Sequence, residues 1–317
     1  MGIRTTCRAL TACLLVTALT LCMAAAGRAA NVDDKTALTK EKAALSELQS
    51  ILNVKTRPRS REEAAKLYAT LTPKLVVFAD KYPKTQAGAQ GLLIVAQMFM
   101  MLEQETEAET SLNKFIERQP THKSLPDAKY LLAMVKHQTG DYAAAKKLLT
   151  DHIKQHPDYR GRAQVDRLLE KIAIIGTEAK DFKTPDLAGK DVQLNALRGK
   201  IVLLDFYAGW CAPCKVEMPN LIKLYAKYHD KGFEIIGISL DRSKEKAKEY
   251  VKDAGITWTA TWEEPGFWHS PVAKLYEVRS IPAMYLLDKE GKILHVGLRG
   301  ERLAKTLEKL FADAEKE

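Results

Sequence analysis

Two cysteines separated by two residues offer the clearest chemistry in this sequence. Cys211 and Cys214 follow a short apolar run, 201–204, whose branched residues predict a buried strand. The residues from Ala212 onward favour a helix, so both thiols are expected at a helix N-terminus. Unpaired N–H groups there stabilise an anion, which lowers the pKa of a thiol and makes its thiolate a nucleophile. The spacing predicts a disulfide that opens and closes with little backbone movement.

The residues around this pair resemble the active site of the thioredoxin family. Residues 210–214 read WCAPC, and residues 217–219 read EMP, which is similar to the extracytoplasmic TlpA/ResA-type branch of the redoxin (AhpC-TSA) superfamily. The resemblance implies that an exposed Cys211 attacks a disulfide and that a shielded Cys214 resolves the mixed disulfide. The protein substrates would therefore carry disulfides or thiols.

The resemblance also assigns roles to residues outside the C-x-x-C motif. Asp205, six residues before Cys211, would relay protons to and from Cys214, although it could also be a partly exposed carboxylate at a strand end. The Ile281–Pro282 bond would be cis and face the disulfide; the alternative is a trans proline on an edge strand. The implied substrate-binding residues are Trp210, Ala212, Pro213, Ile281 and Pro282.

The residues between the cysteines indicate the direction of the redox reaction. Ala212 and Pro213 carry no cation or imidazole, so we expect a thiol pKa of about 7 and a reducing couple. A disulfide-forming or isomerising enzyme and a peroxide-reducing redoxin remain alternatives, although Ala208 stands where peroxiredoxins carry threonine. We predict no cofactor and no metal, because a structural zinc site needs four ligands and no second C-x-x-C occurs.

The first thirty residues have the pattern of a secretory signal peptide. Arg4 and Arg8 precede an apolar run, 9–26, that ends in small residues. An uncleaved membrane anchor and a lipid attached to Cys13 are the alternatives. This pattern predicts export to the periplasm or another extracytoplasmic location, where a membrane-borne thiol donor would re-reduce the protein.

Export determines how many of the five cysteines remain in the mature chain. Three of them lie in the signal segment, so a mature chain would keep only Cys211 and Cys214. An exported protein with one such pair has no framework of structural disulfides. The pair is therefore expected to do redox work.

Residues 31–175 predict an all-helical domain built from repeats. Segments closed by Pro83, Pro120 and Pro157 recur every 37 residues, close to the period of tetratricopeptide (TPR) units. Pro73 is expected to break or kink the helix that contains it. The TPR-like domain would offer a face to a protein partner, or serve only for packing or dimerisation. A protein-binding helical scaffold with an accessory redox domain is therefore a second interpretation of the whole chain.

Residues 176–317 predict an α/β thioredoxin fold with an added N-terminal β-hairpin. Strands over 201–207 and 233–240 alternate with helices, and a hairpin over 281–296 precedes a last helix. The formal charge of +9 comes from basic residues interspersed with acidic ones. This pattern is typical of a solvated surface and predicts no nucleic-acid partner.

Overall fold

The computed structural model describes residues 34–54, 58 and 60–314. The predicted signal segment, residues 1–30, lies outside the described residues. The chain divides into two compact units, the first ending at Asp166 and the second beginning at Arg167. Within the described residues, no helix is both long enough and apolar enough to cross a membrane.

The N-terminal part of the described chain is helical, as predicted. Its helices are α1 (Asp34–Leu52), α2 (Arg61–Lys81), α3 (Gln86–Met101), α4 (Glu105–Arg118), α5 (Leu125–Gln138), α6 (Tyr142–Gln155) and α7 (Arg162–Ala173). From α1 to α6, each helix packs against the helices next to it in sequence. This pattern is the one expected when helices stack in order along a chain.

Three of these helices end with the same local geometry, 37 residues apart. The residue after the last turn donates its N–H to the carbonyl four residues earlier in each case: Tyr82 to Phe78, Gln119 to Phe115 and His156 to His152. All three acceptor residues are buried. The predicted helix ends ahead of the three prolines are therefore confirmed, and His152 occupies a position that holds phenylalanine in the two preceding repeats.

Pro73 does not end its helix, so of the predicted break or kink, the break is excluded. Helix α2 continues through it. Leu71 and Leu75, on either side of the proline, are buried in the core of the helical unit. A proline inside a helix removes one hydrogen bond, and the packing of its apolar neighbours offsets that loss.

The second unit combines a sheet with helices. Its elements are β1 (Lys183–Pro185), β2 (Asp191–Gln193), β3 (Ile201–Tyr207), α8 (Ala212–Tyr228), β4 (Phe233–Ser239), α9 (Lys244–Ala254), β5 (Thr259–Thr261), α10 (Pro271–Leu275), β6 (Ala283–Leu287), β7 (Ile293–Val296) and α11 (Gly300–Ala314). Strands β1 and β2 form the predicted antiparallel hairpin.

The main sheet has the strand order β5-β4-β3-β6-β7. Strand β3 pairs in parallel with β4 and antiparallel with β6, so it lies in the middle. All seven residues of β3 are buried, and so are all seven of β4. This mixed sheet with flanking helices confirms the predicted thioredoxin fold.

The sequence pattern missed strand β5. The sequence predicts no strand between residues 240 and 281, yet residues 259–261 pair in parallel with β4, and Trp258 is buried. A strand of three residues, two of them threonine, is too short to show a periodic pattern. Its place at the edge of the sheet depends on pairing with β4, which a local pattern does not reveal.

Replacing Gly88 with alanine tests the packing at the start of α3. A Cβ atom there would collide with the carbonyl oxygen of Tyr82 and lie 2.8 Å from its carbon. Because the obstacle is backbone, we expect Gly88→Ala to lower the free energy of unfolding of the helical unit by about 1–3 kcal/mol. Urea unfolding followed by far-UV circular dichroism measures the change.

The neighbouring Gln86→Ala is the matched control, because Gln86 is exposed in the same helical turn. It should stay within about 0.5 kcal/mol of the wild type. All four tryptophans lie in the second unit, so their fluorescence reports separately on that unit. Equal stability of the two variants would contradict the packing described.

Candidate functional site

The cysteine pair lies where β3 gives way to α8. Cys211 is the N-cap of this helix, and Ala212 and Pro213 are its first two residues. The sulfurs of Cys211 and Cys214 are bonded to each other, with Cα atoms 5.3 Å apart. The backbone N–H of Cys214 donates to Sγ of Cys211 at 3.2 Å. The sulfur of Cys211 therefore receives a backbone N–H at the positive end of a helix, as the sequence predicts.

The exposure expected for Cys211 is wrong for the disulfide form. Cys211 is 4% exposed and Cys214 is 2% exposed, and both belong to the apolar core of the second unit. The bond to Cys214 and the packing of Cys211 in this core account for its burial. Ala212 and Pro213, by contrast, are exposed.

Asp205 is a buried carboxyl group in the central strand. It is 1% exposed, which excludes a partly exposed strand-end carboxylate. Burial, and to a lesser degree the negative charge of Glu217, raises the pKa of Asp205 from 3.8 to about 7, while Arg299 acts in the opposite direction. Among the described residues, Oδ1 of Asp205 has no hydrogen-bond partner. A carboxyl group with this pKa exchanges protons near neutral pH.

Glu217, the first residue of the EMP motif, belongs to this site, although the sequence assigned it no role. It lies on α8, is 7% exposed, and accepts the N–H of Gly300 at 2.9 Å. Asn220 on the same helix donates to the carbonyl of Gly300 at 3.2 Å. Glu217 therefore joins the helix of the cysteines to the start of α11 and places a second carboxyl group near Asp205.

The peptide bond between Ile281 and Pro282 is cis, as the resemblance implies. Strand β6 begins directly after it and pairs Ala283 with Phe206 of β3. This register places the cis bond beside the end of β3 that leads to Cys211. Ile281 and Pro282 are both half-buried, so part of each remains accessible.

Asp241, which the sequence reasoning missed, holds the loop that precedes Cys211. Both of its carboxylate oxygens accept the N–H of Gly209 at 3.1 Å, and Oδ2 also accepts the Ser239 hydroxyl at 2.9 Å. The indole of Trp210 donates to the carbonyl of Leu240 at 3.3 Å. Trp210 itself is 47% exposed. The end of β4 thus fixes the residues that carry the predicted nucleophile.

The arrangement suits thiol–disulfide exchange. It combines a redox-active cysteine pair, a backbone donor to the first sulfur, and a buried carboxyl group whose pKa lies near neutrality. No group of three or more His, Cys, Asp or Glu side chains that could hold a metal ion occurs in the described residues.

Comparison with known proteins places the similarity in the second unit. The AhpC/TSA family matches residues 175–296. The thiol-disulfide oxidoreductase ResA of Bacillus thuringiensis subsp. konkukian is 37% identical over 134 residues, which are 42% of this chain and 75% of that protein. ResA of Geobacillus thermodenitrificans is 34% identical over 125 residues, which are 39% of this chain and 70% of that protein.

One solved structure with similarity to this chain is the thioredoxin domain of a thiol-disulfide oxidoreductase from Bacteroides vulgatus. It is 36% identical in sequence, and the match covers 43% of this chain and 97% of that one, with a TM-score of 0.41.

The pKa of Asp205 predicts how stability depends on pH. The pKa is about 7 in the folded state against an ordinary value of 3.8, so the folded state binds the proton more tightly. The wild type therefore loses stability as the pH rises from about 4 to about 7. Asp205→Asn cannot titrate, so its stability relative to wild type should increase over this range by up to about 4 kcal/mol.

Urea unfolding of the oxidised protein, followed by tryptophan fluorescence at pH 4 and pH 8, measures this difference. Asp253→Asn is the matched control, because Asp253 is exposed in the same unit, and its stability relative to wild type should change little with pH. If the Asp205→Asn difference is the same at both pH values, the pKa of Asp205 is not raised.

Proposed function

The chain belongs to the AhpC/TSA family, in which it is similar to thiol-disulfide oxidoreductases of the ResA type, and we propose that its Cys211–Cys214 pair reduces disulfides of exported proteins. The observation that carries this proposal is the N–H of Cys214 directed at Sγ of Cys211 at a helix N-terminus. This contact stabilises a thiolate at Cys211 once the disulfide is reduced.

The reaction begins with the reduced pair. The Cys211 thiolate attacks one sulfur of the substrate disulfide, forms a mixed disulfide and releases the other sulfur as a thiolate, which takes up a proton. The Cys214 thiolate then attacks Sγ of Cys211 and releases the second substrate thiolate. The substrate gains two electrons and two protons, and the enzyme ends as the Cys211–Cys214 disulfide.

Asp205 takes the proton that Cys214 must lose before the second attack. A carboxyl group with an ordinary pKa of 3.8 would be a weak base, whereas a pKa of about 7 brings it close to that of a thiol at such a site. The unpartnered Oδ1 leaves one oxygen of the carboxyl group available for this proton.

The substrate polypeptide lies across the exposed residues around the disulfide. Ala212 and Pro213 border it on the helix side, and Trp210 borders it on the loop side. Ile281 and Pro282 offer backbone groups to an extended chain, because they precede β6 at the same end of the sheet. Their partial exposure supports this binding role.

We infer the working location and the domain organisation from the sequence. Residues 1–30 act as a signal for export, residues 31–175 form a TPR-like domain, and residues 176–317 form the redox domain. A membrane-borne thiol donor returns two electrons to the oxidised pair. The 37-residue repeat of helix ends supports the TPR-like assignment, and a stacked helical face of this kind suits a protein partner.

Replacing Cys214 with serine tests the proposal by stopping the reaction at the mixed disulfide. The reduced Cys214→Ser protein should form a covalent adduct with a disulfide-bearing protein such as insulin, because a hydroxyl group in place of the second thiol cannot resolve it. The adduct should appear on a non-reducing gel, map to Cys211 by mass spectrometry, and disappear with dithiothreitol. The wild type should accelerate reduction of insulin by dithiothreitol.

Cys211→Ser is the matched control and should form much less adduct, because it lacks the predicted nucleophile. Absence of any adduct on Cys211, together with no acceleration of insulin reduction by the wild type, would exclude the reductase function. A measured reduction potential near −120 mV, which is about that of a strong oxidant, would instead indicate disulfide formation.

A further inference from the structure

Aromatic rings form a partly exposed surface next to the disulfide. The ring centroid of Trp210 lies 5.4 Å from that of Phe267 and 6.3 Å from that of Trp268, and the last two rings are 5.7 Å apart. Phe267 and Trp268 are half-buried, and Trp210 is among the most exposed large apolar residues of the described chain. Contiguous exposed apolar surface of this kind marks an interaction site more often than scattered single residues do.

The surface continues on the other side of the active-site loop. A Cβ atom at Gly209 would lie 3.0 Å from Cβ and Cγ of Tyr250, so the half-buried Tyr250 packs directly against this loop. We call Tyr250, Trp210, Phe267 and Trp268 the aromatic strip.

A cation lies over an aromatic ring at two places on the strip. Nζ of Lys215 is 5.8 Å from the ring centroid of Tyr250, and the guanidinium of Arg242 is 5.3 Å from that of Phe267. Both cations are exposed, and neither forms an ion pair with a carboxylate of the described chain. Their charges are therefore available to a partner.

The backbone at Phe267 is held in an uncommon conformation. Its φ angle is +54°, in the left-handed region that side chains other than glycine rarely adopt. The carbonyl of Asp241 fixes this loop, because it accepts both the N–H of Phe267 at 3.2 Å and the indole N–H of Trp262 at 2.9 Å. The loop therefore holds the half-buried ring of Phe267 beside Trp210.

We propose that the aromatic strip binds the residues that flank the reactive cysteine of an acidic polypeptide substrate. This inference rests on the proposed function and names its substrate class. One large apolar side chain of the substrate packs on the rings of Trp210, Phe267 and Trp268, and carboxylates of the substrate pair with Arg242 and Lys215. Aromatic and arginine side chains contribute most of the binding free energy in protein interfaces, and the two cations steer an acidic partner to the site.

The contacts around the aromatic strip favour an acidic substrate with a large apolar side chain. The indole N–H of Trp210 already donates to Leu240, so its exposed ring offers only apolar contact. The carboxylate of Glu263, in the same loop as Phe267, accepts the N–H of Val272 at 3.3 Å and is engaged within the protein. Without residues 1–30 the chain keeps 46 basic and 40 acidic residues, a formal charge of +6, so long-range attraction also favours an acidic substrate.

Four model peptides with one intramolecular disulfide test the proposal on the full-length reduced protein. They differ only at the two positions next to one of the cysteines. These two positions hold Trp and Asp, Trp and Lys, Ser and Asp, or Ser and Lys. Acid quenching at set times, followed by mass spectrometry of the reduced and oxidised peptide, gives the second-order rate constant for each peptide. We expect the Trp–Asp peptide to react at least about fivefold faster than either single-change peptide, with the charge preference shrinking in 0.5 M salt.

Two charge-reversed variants test which residue causes the preference for an acidic peptide. Arg242→Glu should reduce or invert the ratio of the rate constant for the Asp peptide to that for the Lys peptide. Lys309→Glu changes the net charge equally at an exposed position on α11 and should leave that ratio close to the wild-type value. Trp268→Ala should reduce the ratio of the Trp peptide to the Ser peptide. Ratios remain meaningful even where a variant loses some activity on every peptide.

A small disulfide separates failure of this inference from failure of the proposed function. Hydroxyethyl disulfide has no side chain to bind, so its reduction reports on the cysteine pair alone. If the wild-type protein reduces this compound but reacts equally with all four peptides, the proposed binding role of the aromatic strip is wrong and the reductase function stands. The same effect on the Asp-to-Lys ratio from Arg242→Glu and Lys309→Glu would also overturn it, because the preference would then reflect only net charge.

Discussion

The structure of the second unit depends on the complete burial of strand β3, although this strand carries the carboxyl group of Asp205. Every residue of β3 is buried, and Asp205 is in the middle of the strand. An ionised carboxylate is costly in such surroundings unless it is paired. The physical result is a pKa of about 7 for Asp205. The strand that organises the sheet therefore also supplies a group that exchanges protons near neutral pH.

The topology brings the other parts of the site to the same end of this strand. Strand β4 runs parallel to β3, so Asp241 follows its carboxyl end and holds Gly209. Strand β6 is antiparallel, so its beginning carries Pro282 to that end. Cys211 follows β3 directly. Ligands of open α/β sheets bind at the carboxyl ends of parallel strands, and this site has that position.

The sequence revealed the parts of the site that lie close together in the chain or belong to a recognisable motif. The cysteine pair, the buried Asp205 and the cis bond before Pro282 are examples. Glu217 and Asp241 could not be assigned in this way, because Glu217 acts on Gly300, 83 residues away, and Asp241 acts on Gly209, 32 residues away. Strand β5 was missed because its pairing, rather than its short sequence, defines it. The burial of Cys211 depends on packing within the core of the second unit, which a motif does not express.

Asp205 exchanges its proton near neutral pH in the folded protein, and its role in the reaction depends on this property. Titration of the carboxyl carbon by NMR, with ¹³C-labelled aspartate and Asp205→Asn for assignment, measures this most directly. We expect one aspartate resonance with a midpoint near pH 7 that is absent from the Asp205→Asn spectrum. Glu217→Gln should shift this midpoint to lower pH, because it removes a neighbouring negative charge. A midpoint near pH 4 would contradict the raised pKa of Asp205 and its role in proton exchange.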